Sequence, residues 1–66
     1  MRIKVNGQWQ DSDGADTVAA LLERLGLEPR RVAIERNRSL LPRARYGQTA
    51  LAEEDEFEIV TLVGGG

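Results

Sequence analysis

Phe57-Glu58-Ile59-Val60-Thr61-Leu62-Val63-Gly64-Gly65-Gly66 stands last in the sequence. Phe57 and Ile59 fall on one side of an extended chain and Glu58, Val60 and Leu62 on the other, the period of a strand with one face in a core. The three glycines that follow have no Cβ, so the backbone there is slender and takes shapes other residues avoid. Fully extended they reach about 10 Å beyond the last apolar residue. Such an end leaves its α-carboxylate sterically open and fits a narrow active site. The expectation is a domain over residues 1–63 and a flexible Gly-Gly-Gly tail over 64–66. Gly66 would be the reactive residue, with Gly64 and Gly65 as its stalk.

Working back from this strand, Glu53-Glu54-Asp55 reads as the turn into it and Leu51 as a core plug, while residues 42–50 read as irregular. Val32-Ala33-Ile34-Glu35-Arg36 alternates as another strand and is followed by a turn at Asn37-Arg38-Ser39. Leu40-Leu41 starts a short return strand, which Pro42, lacking an amide donor, confines to an edge or bulge. Val18, Leu21, Leu22 and Leu25 recur at helical spacing and predict one helix of about ten residues. Asp16 or Thr17 is placed to cap it, Gly26 to end it in the left-handed region, and Pro29 to block continuation. At the N-terminus Met1, Ile3 and Val5 alternate with Arg2 and Lys4; Asn6-Gly7 is the favoured dipeptide of a two-residue hairpin turn, and Gln8-Trp9-Gln10 returns. Trp9, the only tryptophan, reads as the edge of the core.

The order strand, strand, helix, strand, weak strand, strand predicts an α+β domain. It has a mixed sheet of four to five strands and one main helix packed on one face. A right-handed crossover makes the first and last strands parallel neighbours in the middle. This is a β-grasp arrangement.

Composition narrows the function. A chain of 66 residues makes one domain and buries only roughly 60% of its unfolded surface, so a deep catalytic cleft is not expected. There is no cysteine and no histidine, which removes thiolate catalysis, disulfides, zinc sites and histidine acid–base chemistry; no catalytic residue and no metal ligand is assigned. Asp11, Asp13 and Asp16 lie close together, but an EF-hand needs glycine at its sixth position and glutamate at its twelfth, where this chain has Asp16 and Leu22. A turn into the helix is the better reading. No run has the length of a membrane span and the N-terminus has no secretory apolar region, so the expected location is cytoplasmic. The net charge of −2 argues against nucleic acid as partner. Arg30, Arg31, Arg36, Arg38, Arg43 and Arg45 nevertheless cluster mid-chain, which fits either a solvated face or a grip on phosphates or an acidic surface.

Several segments together carry a resemblance. They are Val5-Asn6-Gly7, Thr17-Val18-Ala19 with Leu21-Leu22 and Leu25-Gly26-Leu27, Val32-Ala33-Ile34-Glu35-Arg36-Asn37, Leu41-Pro42-Arg43, Asp55, Phe57-Glu58-Ile59-Val60 and Val63-Gly64-Gly65-Gly66. In this order and spacing the chain resembles the ubiquitin-like sulfur carriers of the ThiS/MoaD family, and within it the thiamine-biosynthesis branch. It departs from the family pattern at Glu54 and Arg38, where glycine is common. The resemblance implies a carrier with no bound cofactor and no catalysis of its own. A ThiF-type activating enzyme would use ATP and magnesium to adenylate the Gly66 carboxylate. Sulfur from a cysteine desulfurase or persulfide protein would then give a thiocarboxylate, consumed by a ThiG-type thiazole synthase. Docking is expected on the outward apolar strip of Val60, Leu62 and Val63. The competing readings are a molybdopterin-synthase small subunit, another ubiquitin-like sulfur carrier or modifier, and, from a different class, a small RNA-binding module.

Overall fold

The computed structural model describes residues 1–63. Five strands and one α-helix follow in the expected order: β1 (Arg2–Val5), β2 (Gln8–Asp11), α1 (Val18–Leu25), β3 (Val32–Arg36), β4 (Ser39–Leu41) and β5 (Glu56–Thr61). The sheet order is β2-β1-β5-β3-β4, so β5 is the central strand; it runs parallel to β1 and antiparallel to β3. This is the β-grasp topology.

The helix forms where an apolar stripe and two end signals coincide. The Thr17 hydroxyl oxygen accepts the Ala20 amide at 3.1 Å, which selects Thr17 over Asp16 as the cap. Gly26 closes the helix at φ 71°, and the Leu27 amide behind it donates to the Leu22 carbonyl at 2.9 Å. Val18, Leu21 and Leu22 are fully buried against Ile3, Val5, Val32, Ile34, Phe57 and Ile59 from the inner face of the sheet, with Leu51 filling the gap between layers.

Both hairpin turns hold β5 through asparagine side chains. Asn6 and Asn37 take φ 49° and 50°, the left-handed region that asparagine tolerates. Asn6 Oδ1 accepts the Ile59 amide at 2.7 Å and Asn6 Nδ2 donates to the Ile59 carbonyl at 3.1 Å. A side-chain amide thereby continues the β1–β5 ladder past the end of β1. Asn37 holds the other side with one backbone and one side-chain group: its backbone amide donates to the Glu56 carbonyl at 2.8 Å and its side-chain Oδ1 accepts the Glu56 amide at 3.0 Å.

Asp55, 5% exposed, ties these pieces together. Its carboxylate accepts the Ala52 amide at 2.9 Å, Asn37 Nδ2 at 3.0 Å, and Nε and Nη2 of Arg36 at 3.0 Å each. Burial pushes its pKa up, but these donors and the Arg36 charge outweigh burial and hold it below the usual value.

Four details depart from the sequence reading. Residues 42–50 are more ordered than expected: a 3-10 turn spans Arg43–Arg45, and Tyr46 behind it is buried at 4% exposure. A second 3-10 turn, Pro29–Arg31, leads into β3. The β3–β4 turn is two residues long, Asn37 and Arg38, because Ser39 already pairs with Arg36. Trp9 lies on the open face of the sheet, since its register partner is the outward Lys4. There it is 41% exposed, with the Arg2 guanidinium 4.3 Å from the ring centroid.

Candidate functional site

The face of the sheet away from α1 carries side chains that the inner core does not use. Alternation along β5 turns Glu56, Glu58 and Val60 outward, and the antiparallel register sets Val60 beside Ala33 and Glu58 beside Glu35. Leu40, opposite Glu35 on β4, stands on the same face. Val60 is 58% and Leu40 73% exposed, so two large apolar side chains face solvent from the strands on either side of β3. Ala33, Ile34, Glu35, Leu40, Glu58 and Val60 line one shallow groove. Exposed apolar clusters of this kind on a small domain are docking candidates.

Of the residues expected to form a docking strip, Val60 is exposed on this face beside Leu40, while Leu62 and Val63 lie beyond the end of β5. Leu62 lies just beyond β5, is 39% exposed, and lines a side groove with Leu41, Pro42, Arg43 and Tyr46. Its amide donates to the Arg31 carbonyl at 2.7 Å. Val63, the next residue, is 98% exposed. Leu40 was legible in principle: a two-residue Asn37-Arg38 turn fixes the register that puts Leu41 inward opposite Ile34 and Leu40 outward.

Leu62 is therefore held by one backbone hydrogen bond and borders the end of β4. The Arg31 carbonyl accepts the Leu62 amide, and Arg43 and the buried Tyr46, whose hydroxyl donates to the Val32 carbonyl at 3.4 Å, share the groove that Leu62 lines. Burial pushes the Tyr46 phenol up, and the nearby Arg43 charge opposes the shift only in part. The phenol stays neutral and packs as a support under the root. Gly64, Gly65 and Gly66, the residues expected to carry the chemistry, lie outside the described residues. Among the described residues no group of three or more His, Cys, Asp or Glu is arranged to hold a metal ion, and no helix is long and apolar enough to cross a membrane.

Comparison with known proteins adds the chemical context. The model of the ThiS family matches residues 3–66. Over all 66 residues the chain is 41% identical to a thiazole synthase of Paramagnetospirillum magneticum and 39% identical to one of Magnetococcus marinus. It spans only 20% of the length of either. It is 36% identical to the sulfur carrier protein ThiS of Bacillus subtilis, covering 97% of this chain and 98% of that one. Among solved structures, the crystal structure of a thiamine biosynthesis protein (ThiS) from Geobacter metallireducens superposes with a TM-score of 0.82 at 32% identity, over 100% of both chains.

Proposed function

The chain belongs to the ThiS family, and from that premise we propose that it works as a sulfur carrier in thiamine biosynthesis, a substrate of its partner enzymes rather than a catalyst. The observation that carries this reading is that the family match runs through the glycines to Gly66, and that the strand leading to them is the central one of the sheet. A free α-carboxyl group has a pKa of about 3.3–3.7, so near neutral pH the Gly66 carboxylate is an anion. It resists nucleophiles yet can itself attack the α-phosphate of ATP. A ThiF-type enzyme with ATP and magnesium makes the acyl adenylate. The terminal sulfur of a persulfide, carried by a cysteine desulfurase or persulfide protein, displaces AMP to give an acyl disulfide; a second thiol cleaves it, ending as a disulfide with the donor cysteine, and the released thiocarboxylate is delivered to a ThiG-type thiazole synthase in the cytoplasm.

The body of the domain serves recognition. Val60 and Leu40 on the open face, with Leu62 and Val63 at the root, form the surface on which the partner enzymes settle while the glycines enter their active sites. The exposure of Val60 and Leu40 supports this placement. Thiazole synthase as a partner is supported by the two relatives of that name, which contain a stretch like this whole chain.

Intact mass spectrometry tests the reading. After incubation with a ThiF-type enzyme, ATP, magnesium, a persulfide donor and a thiol reductant, the mass should rise by the difference between one sulfur and one oxygen. Deleting Gly66 should abolish the gain. Neither adenylate nor thiocarboxylate with an enzyme competent on another carrier would refute it.

A further inference from the structure

We propose that Asn6-Gly7 is a deamidation site that the fold keeps shut: the left-handed turn and the clasp of the Asn6 side chain on Ile59 hold the reacting atoms apart, and the amide is lost only when β5 lets go of the turn. The proposal concerns the body of the domain and stands independently of the carrier reading.

Asparagine followed by glycine carries its own reaction. The Gly7 nitrogen attacks Asn6 Cγ, a C–N bond forms, Nδ2 leaves as ammonia, and a five-membered succinimide ring results. Water then opens the ring at either carbonyl, giving aspartate at position 6 or an isoaspartate whose main chain runs through Cβ. Glycine favours the attack because no side chain crowds its nitrogen. Both residues are exposed, so water and base reach the turn. The only other asparagine, Asn37, precedes Arg38, whose side chain crowds the corresponding nitrogen.

In the folded chain two features hold this reaction back. Asn6 at φ 49° and Gly7 at φ 83° form a left-handed turn, and in that region ψ of the first residue is about +47°. Such a ψ puts the Gly7 nitrogen on the opposite side of the Cα–C bond from Cβ, whereas the five-membered ring needs both on the same side. The carboxamide is also occupied. Oδ1 accepts the Ile59 amide at 2.7 Å, Nδ2 donates to the Ile59 carbonyl at 3.1 Å, and the Asn6 backbone amide donates to the Phe57 carbonyl at 2.9 Å. Reaching the ring geometry means undoing this three-point clasp and the turn itself. After reaction the clasp does not re-form as it was. An aspartate at position 6 has no Nδ2 to offer the Ile59 carbonyl and sets an oxygen against it, while isoaspartate adds a backbone atom to a two-residue turn. Each opening that reacts is therefore irreversible, and modified chains accumulate with the time β5 spends released.

The test incubates the full chain at mildly alkaline pH, folded in buffer and unfolded in guanidinium chloride, and follows intact mass and fragment ions with time. The unfolded chain should gain the mass difference between NH2 and OH at residue 6 well before residue 37. The folded chain should react at least about tenfold more slowly, the closing effect of two hydrogen bonds. Gly7→Ala should slow the reaction in the unfolded chain, because its methyl group crowds the attacking nitrogen. Asn6→Asp, which supplies one product directly, should lower the midpoint of guanidinium unfolding. Equal rates in the folded and unfolded chains would overturn the gate. Reaction at residue 37 first, or a Gly7→Ala chain that reacts as fast as the parent, would overturn the site and its nucleophile. An unchanged midpoint in Asn6→Asp would overturn the irreversible loss of the clasp.

Discussion

Replacing Asp55 by asparagine removes one charge and one acceptor from a site where four donor groups converge. The carboxylate is nearly buried and accepts from Ala52, Asn37 and two nitrogens of Arg36. An amide in its place sets an NH2 group against Asn37 Nδ2 in one orientation and against Arg36 and Ala52 in the other. Hydrogen bonds to charged groups are worth about 1.5–3 kcal/mol each when lost, and breaking a fully buried ion pair costs about 3–5 kcal/mol. The Arg36 side chain is 31% exposed, so water recovers part of this, and a loss of about 2–3 kcal/mol is expected. For a domain of this size, total stability is about 3–10 kcal/mol, and the melting temperature should fall by roughly 8–24 °C. The pH dependence gives a second, sharper check. The folded-state pKa of Asp55 is lowered despite its burial; its contribution is therefore complete above the unfolded value of about 3.9 and lost as pH falls through the folded value. Urea unfolding followed by far-UV circular dichroism should show a gap between parent and variant that holds from pH 7 to about pH 4 and shrinks below it. A gap under about 0.5 kcal/mol at pH 7, the size of an ordinary surface change, or one that stays constant into acid, would refute the reasoning.

Three further outcomes follow from named contacts. Asn6→Ala strips the Ile59 amide and carbonyl of their partners and should cost about 2 kcal/mol, with faster hydrogen exchange at the Ile59 amide than at Phe57. Glu58→Gln removes a like-charge pair set directly across the β3–β5 ladder from Glu35 and should stabilise the domain by about 0.2–1 kcal/mol in chemical denaturation; a decrease would mean that the repulsion is not felt. Leu40→Asp with Val60→Asp should weaken binding to the activating enzyme at least about tenfold. Because both side chains already face solvent, the melting temperature should barely change, and unchanged affinity in isothermal titration would remove the open face as the docking surface.

The elements most legible in the sequence were those specified by local chemistry. The Val18, Leu21, Leu22 stripe and Gly26 define the helix without any tertiary information, its cap narrowed to Asp16 or Thr17, and Asn6-Gly7 defines its hairpin. Alternation in β5 separated Phe57 and Ile59 from Val60 correctly, because one strand needs only its own period. Features that depend on partners distant in the chain were not legible. Tyr46 is buried because a 3-10 turn after Pro42 tucks it below the root of the tail, and nothing in residues 42–50 alone signals that. Trp9 faces outward through its pairing with Lys4, not through its own character. Arg38 and Glu54, where the family pattern has glycine, keep the turn geometry at φ 70° and 67°; the backbone there is set by the bonds of Asn37 and by the Glu54 amide donating to the Arg2 carbonyl. The arginine cluster could not be sorted from sequence because sequence neighbours in β3 and its flanks end at opposite ends of one strand.

The two asparagine side chains that grip β5 from neighbouring hairpins act as stops on its travel. A strand in a sheet can in principle shift along its neighbours, and each two-residue shift keeps the same faces in and out while moving the strand by about 7 Å. That distance is more than half of the roughly 10 Å that three glycines can span. Asn6 at Ile59 and Asn37 at Glu56 meet backbone groups that would no longer lie opposite them after such a shift. The depth to which the last residue can be presented is thereby metered by two turns, one at the start of the strand and one at its third-last residue, much as a ruler is set against its stop before a length is marked.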